Sequence, residues 1–245
     1  MSEISRRKLI TAGLTTAAGA AGLTAAVRLA DRTGLLPPGP TSLYTPGDTL
    51  TYAAQRLLTR HTLAREFRRD QISPQPFPNP TSRKSDEYKR LEAGGFAEWR
   101  LTVEGLVERP MTFSLADLKG FPVRSQITSL ACEEGWSYVA EWTGVPLSLI
   151  LERVGTMPQA RYVTYHSIQR SWADSIDMDD ALHPQTLVTH TFNGADLPYG
   201  HGGPLRMRVP RQLGYKSVKF INRIRVVDSL KPTEAGGSYS WYAGI

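Results

Sequence analysis

The sequence predicts a mixed α+β fold made of many short strands and a few short helices. Seventeen prolines and 21 glycines interrupt the 245-residue chain too often for long helices. Apolar and polar residues alternate in several short segments, which is the pattern of half-buried strands. These segments do not alternate with long helical patterns, so a parallel βαβ sheet is not expected. A hydrophobic content of 40% indicates a globular chain.

Three helices carry recognisable end signals or helical pattern. Ser114 followed by Asp117 has the spacing of a capping box, which predicts a short helix after Ser114. Pro146 is expected to open a second helix that Gly155 ends. A third helix is predicted over 50–69, between two proline-rich stretches.

The strand predictions follow from period-two alternation. Strands are predicted at 99–107, 125–132, 160–168, 186–192, 205–209 and 217–227. Asn193-Gly194 follows the fourth of these strands and predicts a tight turn. In 205–209 the alternation places Arg206 and Arg208 together on one face. For Arg208 and, in the following loop, Arg211, a solvated or substrate-facing role and a role in binding a phosphate both stay open.

Four regions are predicted along the chain. Residues 1–34 resemble a twin-arginine export signal, because Arg6-Arg7 precedes an uncharged stretch from Leu9 to Val27. We therefore expect export to the periplasm, with an uncleaved membrane anchor as the alternative. Residues 35–95 form an N-terminal extension, 96–228 the catalytic domain and 229–245 a C-terminal tail.

Positive charge is concentrated near the end of the predicted domain. The chain has a net charge of +6, yet seven cations and no acidic residue lie between Gly200 and Val227. These cations are Arg206, Arg208, Arg211, Lys216, Lys219, Arg223 and Arg225. Two interpretations stay open at this point: a solvated strand edge that resists aggregation, or a cradle for a phosphate.

Cys132 is the only cysteine and raises the main chemical question. A single cysteine excludes a covalent haem attachment motif and an all-cysteine iron–sulfur site. The five histidines show no zinc-ligand spacing, and no dinucleotide, Walker A or nucleophile-elbow motif occurs. Cys132 is therefore a buried small side chain, a nucleophile paired with a distant histidine, or a metal ligand.

Two separated motifs resemble the sulfite oxidase family of molybdopterin-dependent oxidoreductases. SLACEEGWSYVAEWTGVPLSLIL (129–151) resembles the family's molybdenum-binding loop. FNGADLPYGHGGPLRMRVPRQLGYKSVKFINRI (192–224) resembles the family's asparagine–glycine turn, its HG-x-PLR segment and its G-x-KS-x-K segment. The resemblance covers about 96–228. Within the family, the chain resembles the exported single-domain bacterial members. It implies the sulfite oxidase-type molybdopterin-binding fold, a mixed-sheet fold.

The resemblance also implies a set of site residues. Cys132 corresponds to the thiolate that ligates molybdenum beside the dithiolene sulfurs of molybdopterin, and a soft thiolate suits that metal. Trp172 lies where many sulfite oxidases carry a tyrosine beside the oxyanion site, and a packed aromatic residue is the alternative. The implied cofactor-binding residues are Asn79, Cys132, His201, Arg206, Gly214, Tyr215, Lys216, Ser217 and Lys219.

The implied activity is oxygen-atom transfer at a cysteine-ligated molybdenum. Reduction of sulfoxides, including methionine sulfoxide in proteins, is expected. The alternatives are a sulfite dehydrogenase that passes electrons to a cytochrome, and a cofactor-free binding protein that retains the fold. A separate redox partner is expected, either a membrane haem protein or a soluble cytochrome. A monomeric catalytic subunit that binds no nucleic acid is also expected.

Overall fold

The computed structural model describes residues 22–31, 33–37, 46–79, 83–169 and 172–231. The chain forms two compact units, 1–59 and 60–245. In the first unit, described residues form helix α1 (22–31) and helix α2 (Pro46–Thr59). No helix in the described ranges is both long and apolar enough to cross a bilayer. The predicted leader motif at Arg6-Arg7 lies outside the described residues.

Helix α2 ends at Thr59, so the prediction of a helix as far as residue 69 is wrong. Residues 64–73 instead run along the edge of a sheet. The Phe67 N–H donates to the Ile127 carbonyl (2.8 Å), and the Ser73 N–H donates to the Val139 carbonyl (2.9 Å). Backbone pairing with a strand edge therefore overrides the local helical pattern.

The second unit is built from two sheets. Its described strands are β1 Leu101–Gly105, β2 Met111–Phe113, β3 Arg124–Ala131, β4 Ser137–Pro146, β5 Tyr162–Ser167, β6 Ala173–Asp177, β7 Leu187–Phe192, β8 Ala195–Asp196, β9 Arg206–Arg208 and β10 Ile221–Val227. One sheet has the order β2-β1-β10-β5-β6; the other has the order β3-β4-β7-β8, with β9 paired to β7. Only the β1–β10 pairing is parallel among these ladders. The mixed pairing confirms the predicted fold class.

Short helices connect the strands. They are α3 Asp86–Ala93, α4 Leu115–Lys119, α5 Leu147–Val154 and α6 Met178–Ala181. The predicted capping box is confirmed, because Ser114 Oγ accepts the Asp117 N–H (3.1 Å) while Asp117 accepts the Ser114 N–H (2.8 Å). Gly155 ends α5 with a φ of 71°, as the glycine stop signal predicts.

The main core contains residues of both sheets and of the short helices. Val103 of β1 and Ile224 of β10 pack in it with Ile150 of α5. Tyr88 and Leu91 of α3 belong to the same cluster, although they precede residue 96, where the sequence places the start of the catalytic domain. A second apolar cluster lies beneath the segment that carries Cys132; it consists of Leu130, Tyr138, Ala140, Trp142, Phe192 and Leu197.

Gly144 in β4 allows two strands to approach closely. The β4–β7 register shifts between Thr143 and Gly144, and a Cβ on Gly144 would lie 2.2 Å from the Val188 carbonyl oxygen. We expect Gly144→Ala to lower the free energy of unfolding by about 2–3 kcal/mol, because backbone rather than a flexible side chain would have to move.

Urea unfolding checks this expectation. Gly94→Ala is the matched control, because a Cβ there meets nothing closer than 3.7 Å. The control should change the unfolding free energy by less than about 0.5 kcal/mol. Equal stability of Gly144→Ala and the parent chain would contradict the steric role of Gly144.

Candidate cofactor site

Cys132 lies one residue after β3, in a tight connection to β4. We name residues 132–136 the CEEGW loop. The Cys132 N–H donates to the Trp136 carbonyl (2.9 Å), and the Gly135 N–H donates to the Cys132 carbonyl (3.1 Å). These bonds close the loop on itself and leave the Cys132 side chain 8% exposed. The loop thus presents one nearly buried sulfur at the tip of a hairpin.

Two carboxylates stand beside that sulfur. Glu133 Oε2 lies 3.4 Å from Cys132 Sγ, and Glu134 Oε2 lies 3.8 Å from it. Burial, and then the charges of these carboxylates, raise the pKa of the Cys132 thiol to about 11. A reactive nucleophile needs a lowered pKa, so this environment disfavours the nucleophile interpretation. A thiolate here requires a nearby cationic centre such as a metal.

The turn at Gly214–Lys216 lies directly against the CEEGW loop. A Cβ placed on Gly214 would be 3.1 Å from Leu130 Cδ2, 3.3 Å from the Ala131 carbonyl oxygen and 3.6 Å from Cys132 Cα. A residue without a side chain is therefore the best fit for this close approach. The fold thus brings together the two halves of the sequence that carry the family resemblance.

His201 lies in the same region and is held by aromatic residues. Its Nδ1 shares a hydrogen bond with the Tyr138 hydroxyl (3.2 Å), and its ring stacks on Phe192 with centroids 4.2 Å apart. Burial and the charges of Arg206 and Lys219 lower the pKa of His201 to about 4. His201 is therefore neutral near pH 7. Tyr138 lies within the 129–151 motif, but the sequence predicts no role for its side chain.

Arg206 and Arg208 are buried, so of the roles left open for Arg208 the solvated one is wrong. Their guanidinium carbons lie 5.0 and 5.3 Å from the centroid of the Trp142 ring. Arg206 donates to the His201 carbonyl (2.7 Å) and to the Ser217 carbonyl (2.6 Å). Because β9 pairs with β7 inside the unit, alternation along β9 does not separate a wet face from a dry face.

Lys219 completes a group of three buried cations. Its ammonium donates to the carbonyls of Gly200 (2.6 Å) and Asn79 (3.1 Å). Burial and the charge of Arg206 lower the pKa of Lys219 to about 7, and the same two causes lower the pKa of Arg208 to about 9. The Nε atom of Arg208 is buried and has no hydrogen-bond partner among the described residues.

We name Arg206, Arg208 and Lys219 the buried cation group. Their exposed fractions are 3%, 0% and 8%. Their acceptors are neutral oxygens, and none of the three forms an ion pair within the described ranges. Buried positive charge without a counter-charge is costly. An anionic ligand would offset that cost, which favours the phosphate interpretation of the basic segment.

The remaining predicted residues occupy different positions. Ser217 Oγ accepts the Val209 N–H (3.2 Å) and lies within the buried cation group. Lys216 is fully buried, and its ammonium donates to Asp174 Oδ1 (2.5 Å) and to the Ser175 carbonyl (2.7 Å). This pair attaches the Gly214–Lys216 turn to β6.

Trp172 and Tyr215 are less closely tied to the site. Trp172 is 56% exposed, and its indole makes no hydrogen bond or ring contact with the described residues. The Tyr215 ring lies beside the ammonium of its neighbour Lys216, at 5.5 Å from the ring centroid. The catalytic role of Trp172 and the backbone contacts of Tyr215 and Lys216 remain predictions.

A family model described as the oxidoreductase molybdopterin binding domain matches residues 90–234. The chain belongs to this family. The match includes the CEEGW loop, the Gly214–Lys216 turn and the buried cation group. The cofactor of this oxidoreductase domain is accordingly molybdenum–molybdopterin, and the domain is of the sulfite oxidase type.

Individual relatives agree with the family match. The chain is 33% identical over 243 residues to the protein-methionine-sulfoxide reductase catalytic subunit MsrP of Xanthomonas axonopodis pv. citri, covering 93% of this chain and 71% of that protein. It is 37% identical over 166 residues to MsrP of Ralstonia nicotianae, covering 60% of this chain and 50% of the relative. Across the Ralstonia alignment and two further alignments to curated relatives, the chain spans 50–64% of the relative's length.

A solved structure supports the same fold. The crystal structure of the sulfane dehydrogenase SoxCD from Paracoccus pantotrophus matches with a TM-score of 0.55 and 26% sequence identity. The match covers 58% of this chain and 41% of that chain. The sulfite oxidase-type fold implied by the sequence motifs is therefore confirmed.

Two structural observations indicate that the residues of this chain fit a molybdopterin group. The buried cation group has no counter-charge among the described residues, and a phosphate would supply one. The lone Cys132 provides a soft sulfur whose ionisation requires a metal. Cys132 would hold the metal, while Arg206, Arg208, Ser217 and Lys219 would surround the phosphate.

Lys219 should make the cofactor-free protein more stable at high pH. The pKa of Lys219 is about 7 in the folded chain and 10.5 as an unperturbed lysine. The unfolded chain therefore binds more protons between these values, so stability rises from about pH 7 towards about pH 10.5 and is lost again as pH falls. We expect a gain of a few kcal/mol across this window.

Urea titrations of cofactor-free protein across that window provide the measurement. Lys219→Met is the control, since it removes the titrating group and should flatten the pH dependence. An identical pH profile in the variant and the parent chain would rule out Lys219 as its source.

Proposed function

We propose that this chain is an exported catalytic subunit that reduces sulfoxides, with methionine sulfoxide in proteins as its substrate. Its similarity to two MsrP catalytic subunits supports this activity. The observation that carries the proposal is the contact between the CEEGW loop and the Gly214–Lys216 turn. That contact joins the loop that carries one soft sulfur to the chain segment between Arg208 and Lys219, which belong to the buried cation group, and a metal cofactor with an anionic tail needs both features.

In this proposal Cys132 is the protein ligand of molybdenum, and the buried cation group neutralises the cofactor phosphate. Arg206 also braces the site, because its guanidinium joins the His201 segment to the Ser217 segment through their carbonyls. Asn79 joins this arrangement through its carbonyl contact with Lys219.

When bound, the cofactor supplies oxygen-atom transfer: a sulfoxide, two electrons and two protons give a thioether and water. The chain's own residues position and shield that chemistry. The two backbone bonds within the CEEGW loop fix the direction of Cys132 Sγ. The ring of Trp136, the last residue of the loop, stacks on Tyr138 with centroids 6.0 Å apart, which holds the end of the loop against β4.

A sulfite dehydrogenase is the second candidate. The similarity to SoxCD, whose name describes a dehydrogenase of sulfur compounds, supports this direction of electron flow. Turnover of methionine sulfoxide with a reduced dye, compared with turnover of sulfite with an oxidised dye, separates the two candidates. Sulfite-dependent dye reduction without sulfoxide reduction would contradict the proposed function.

Metal analysis tests the proposal against a cofactor-free binding protein. Protein made in a host that synthesises molybdopterin should contain close to one molybdenum per chain. A content below about a tenth of an equivalent would contradict an enzyme role.

The proposal includes export and a partner. The Arg6-Arg7 motif and the uncharged stretch that follows support export by the twin-arginine route. Electrons would come from a separate membrane haem protein or soluble cytochrome. Fractionation of cells that express the chain with and without Arg6→Lys and Arg7→Lys tests the route: the double variant should accumulate in the cytoplasm.

A further inference from the structure

The charged residues of the site differ in exposure. The CEEGW loop places Glu134 and Gly135 at the exposed surface and Glu133 half-buried. The buried cation group is at most 8% exposed, and its hydrogen bonds go to neutral oxygens of the protein. The carboxylates beside Cys132 are therefore more accessible to solvent than these cations.

Glu133 and Glu134 are held differently. Glu134 accepts the indole N–H of Trp136 at 2.8 Å, which fixes its carboxylate to the loop. Among the described residues, the Glu133 side chain has one hydrogen-bond partner, the Cys132 thiol at 3.4 Å. Glu133 also adds to the raised pKa of Asp174, which places its charge within electrostatic range of β6. The charge of Glu133 thus acts on the space around Sγ, and no cation in the described part of the chain forms an ion pair with it.

An aromatic surface lies next to these carboxylates. The Phe77 ring is 45% exposed and meets Trp136 edge to face, with centroids 5.0 Å apart. Trp136 in turn stacks on Tyr138. Aromatic rings make favourable contacts with sulfur groups and with the apolar carbons beside them. The approach to Cys132 therefore combines negative charge with apolar contact area.

We propose that Glu133 determines the charge of the substrate, admitting neutral sulfoxides and repelling sulfur oxyanions. The inference rests on the proposed function and concerns the same site. Sulfite carries up to two negative charges, and like charges brought together in a partly desolvated site cost several kcal/mol. A dialkyl sulfoxide is neutral, so it escapes this repulsion, and its carbon substituents can pack on Phe77 and Trp136.

Glu133→Gln tests the inference, because it removes the charge and keeps the shape. In the purified holoenzyme, the ratio of kcat/KM for sulfite to kcat/KM for a neutral sulfoxide should rise at least about tenfold. The rise should come mainly from a higher kcat/KM for sulfite, and it should be smaller at high salt. Glu152→Gln is the matched control, since Glu152 lies on the exposed face of α5. The control should leave the ratio unchanged.

Binding of sulfate gives a readout that does not depend on turnover. Sulfate has the charge of sulfite without its reactivity, and isothermal titration should show at least about tenfold tighter binding to Glu133→Gln than to the parent holoenzyme. An unchanged ratio together with unchanged sulfate binding would overturn the inference while leaving the proposed function intact. If neither substrate is turned over, the proposed function fails and the sulfate titration alone decides the role of Glu133.

Discussion

Cys132→Ser is expected to reduce turnover by more than about a hundredfold while leaving the fold intact. A change to a residue that only supports a metal ligand already costs about 10–100-fold, so loss of the ligand itself should cost more. Serine offers a hard oxygen in place of a soft thiolate and does not ionise near neutral pH. Turnover with artificial electron carriers and molybdenum content together measure the effect.

Stability separates a ligand role from a packing role at Cys132. The side chain lies in a loop at the edge of the smaller apolar cluster, and serine is nearly isosteric. Cys132→Ser should therefore change the unfolding free energy of the cofactor-free protein by less than about 1.5 kcal/mol. Full turnover in this variant would show that Cys132 is not the essential ligand.

Lys219→Met is expected to have opposite effects on the cofactor-free and cofactor-bound protein. Without the cofactor, the variant should be as stable as the parent chain or more stable by up to about 2 kcal/mol, because an uncompensated buried charge is removed. With the cofactor, a charged hydrogen-bond donor to the phosphate is lost. We expect the affinity for the cofactor to fall about 10–100-fold.

Cofactor content after dialysis and urea unfolding of both forms provide the measurements. Lys89→Met is the matched control, since Lys89 is exposed and pairs with Asp86 on the surface. The control should retain its cofactor. If Lys219→Met destabilises both forms equally, Lys219 is a structural residue and the phosphate assignment is wrong.

Local signals in the sequence predicted those features that depend on interactions between residues close together in the chain. The Ser114–Asp117 capping box and the Gly155 stop occur where the sequence places them. Asn193 and Gly194 adopt positive φ values of 49° and 81°, as the predicted turn between β7 and β8 requires. Each of these features depends on hydrogen bonds or dihedral angles within a few residues.

Predictions that depended on a distant neighbour were less accurate. The helix predicted over 50–69 stops at Thr59, because residues 64–73 pair with β3 and β4. The strand predicted over 217–227 begins only at Ile221, since Phe220 has a φ of 58° and its N–H donates to the Gly202 carbonyl. The sequence pattern does not predict strand β6, although β6 pairs with β5 at five positions.

The sequence by itself determined the fold class and the family, and it singled out Cys132 as the only cysteine. These follow from periodicity, from local end signals and from two ordered motifs. Only the tertiary structure decided where the charges act. It buried Arg206, Arg208 and Lys219 without a carboxylate partner among the described residues, and it placed the Glu133 carboxylate 3.4 Å from the Cys132 sulfur. Burial and charge pairing depend on contacts between residues far apart in the chain, and alternation within one strand carries no information about them.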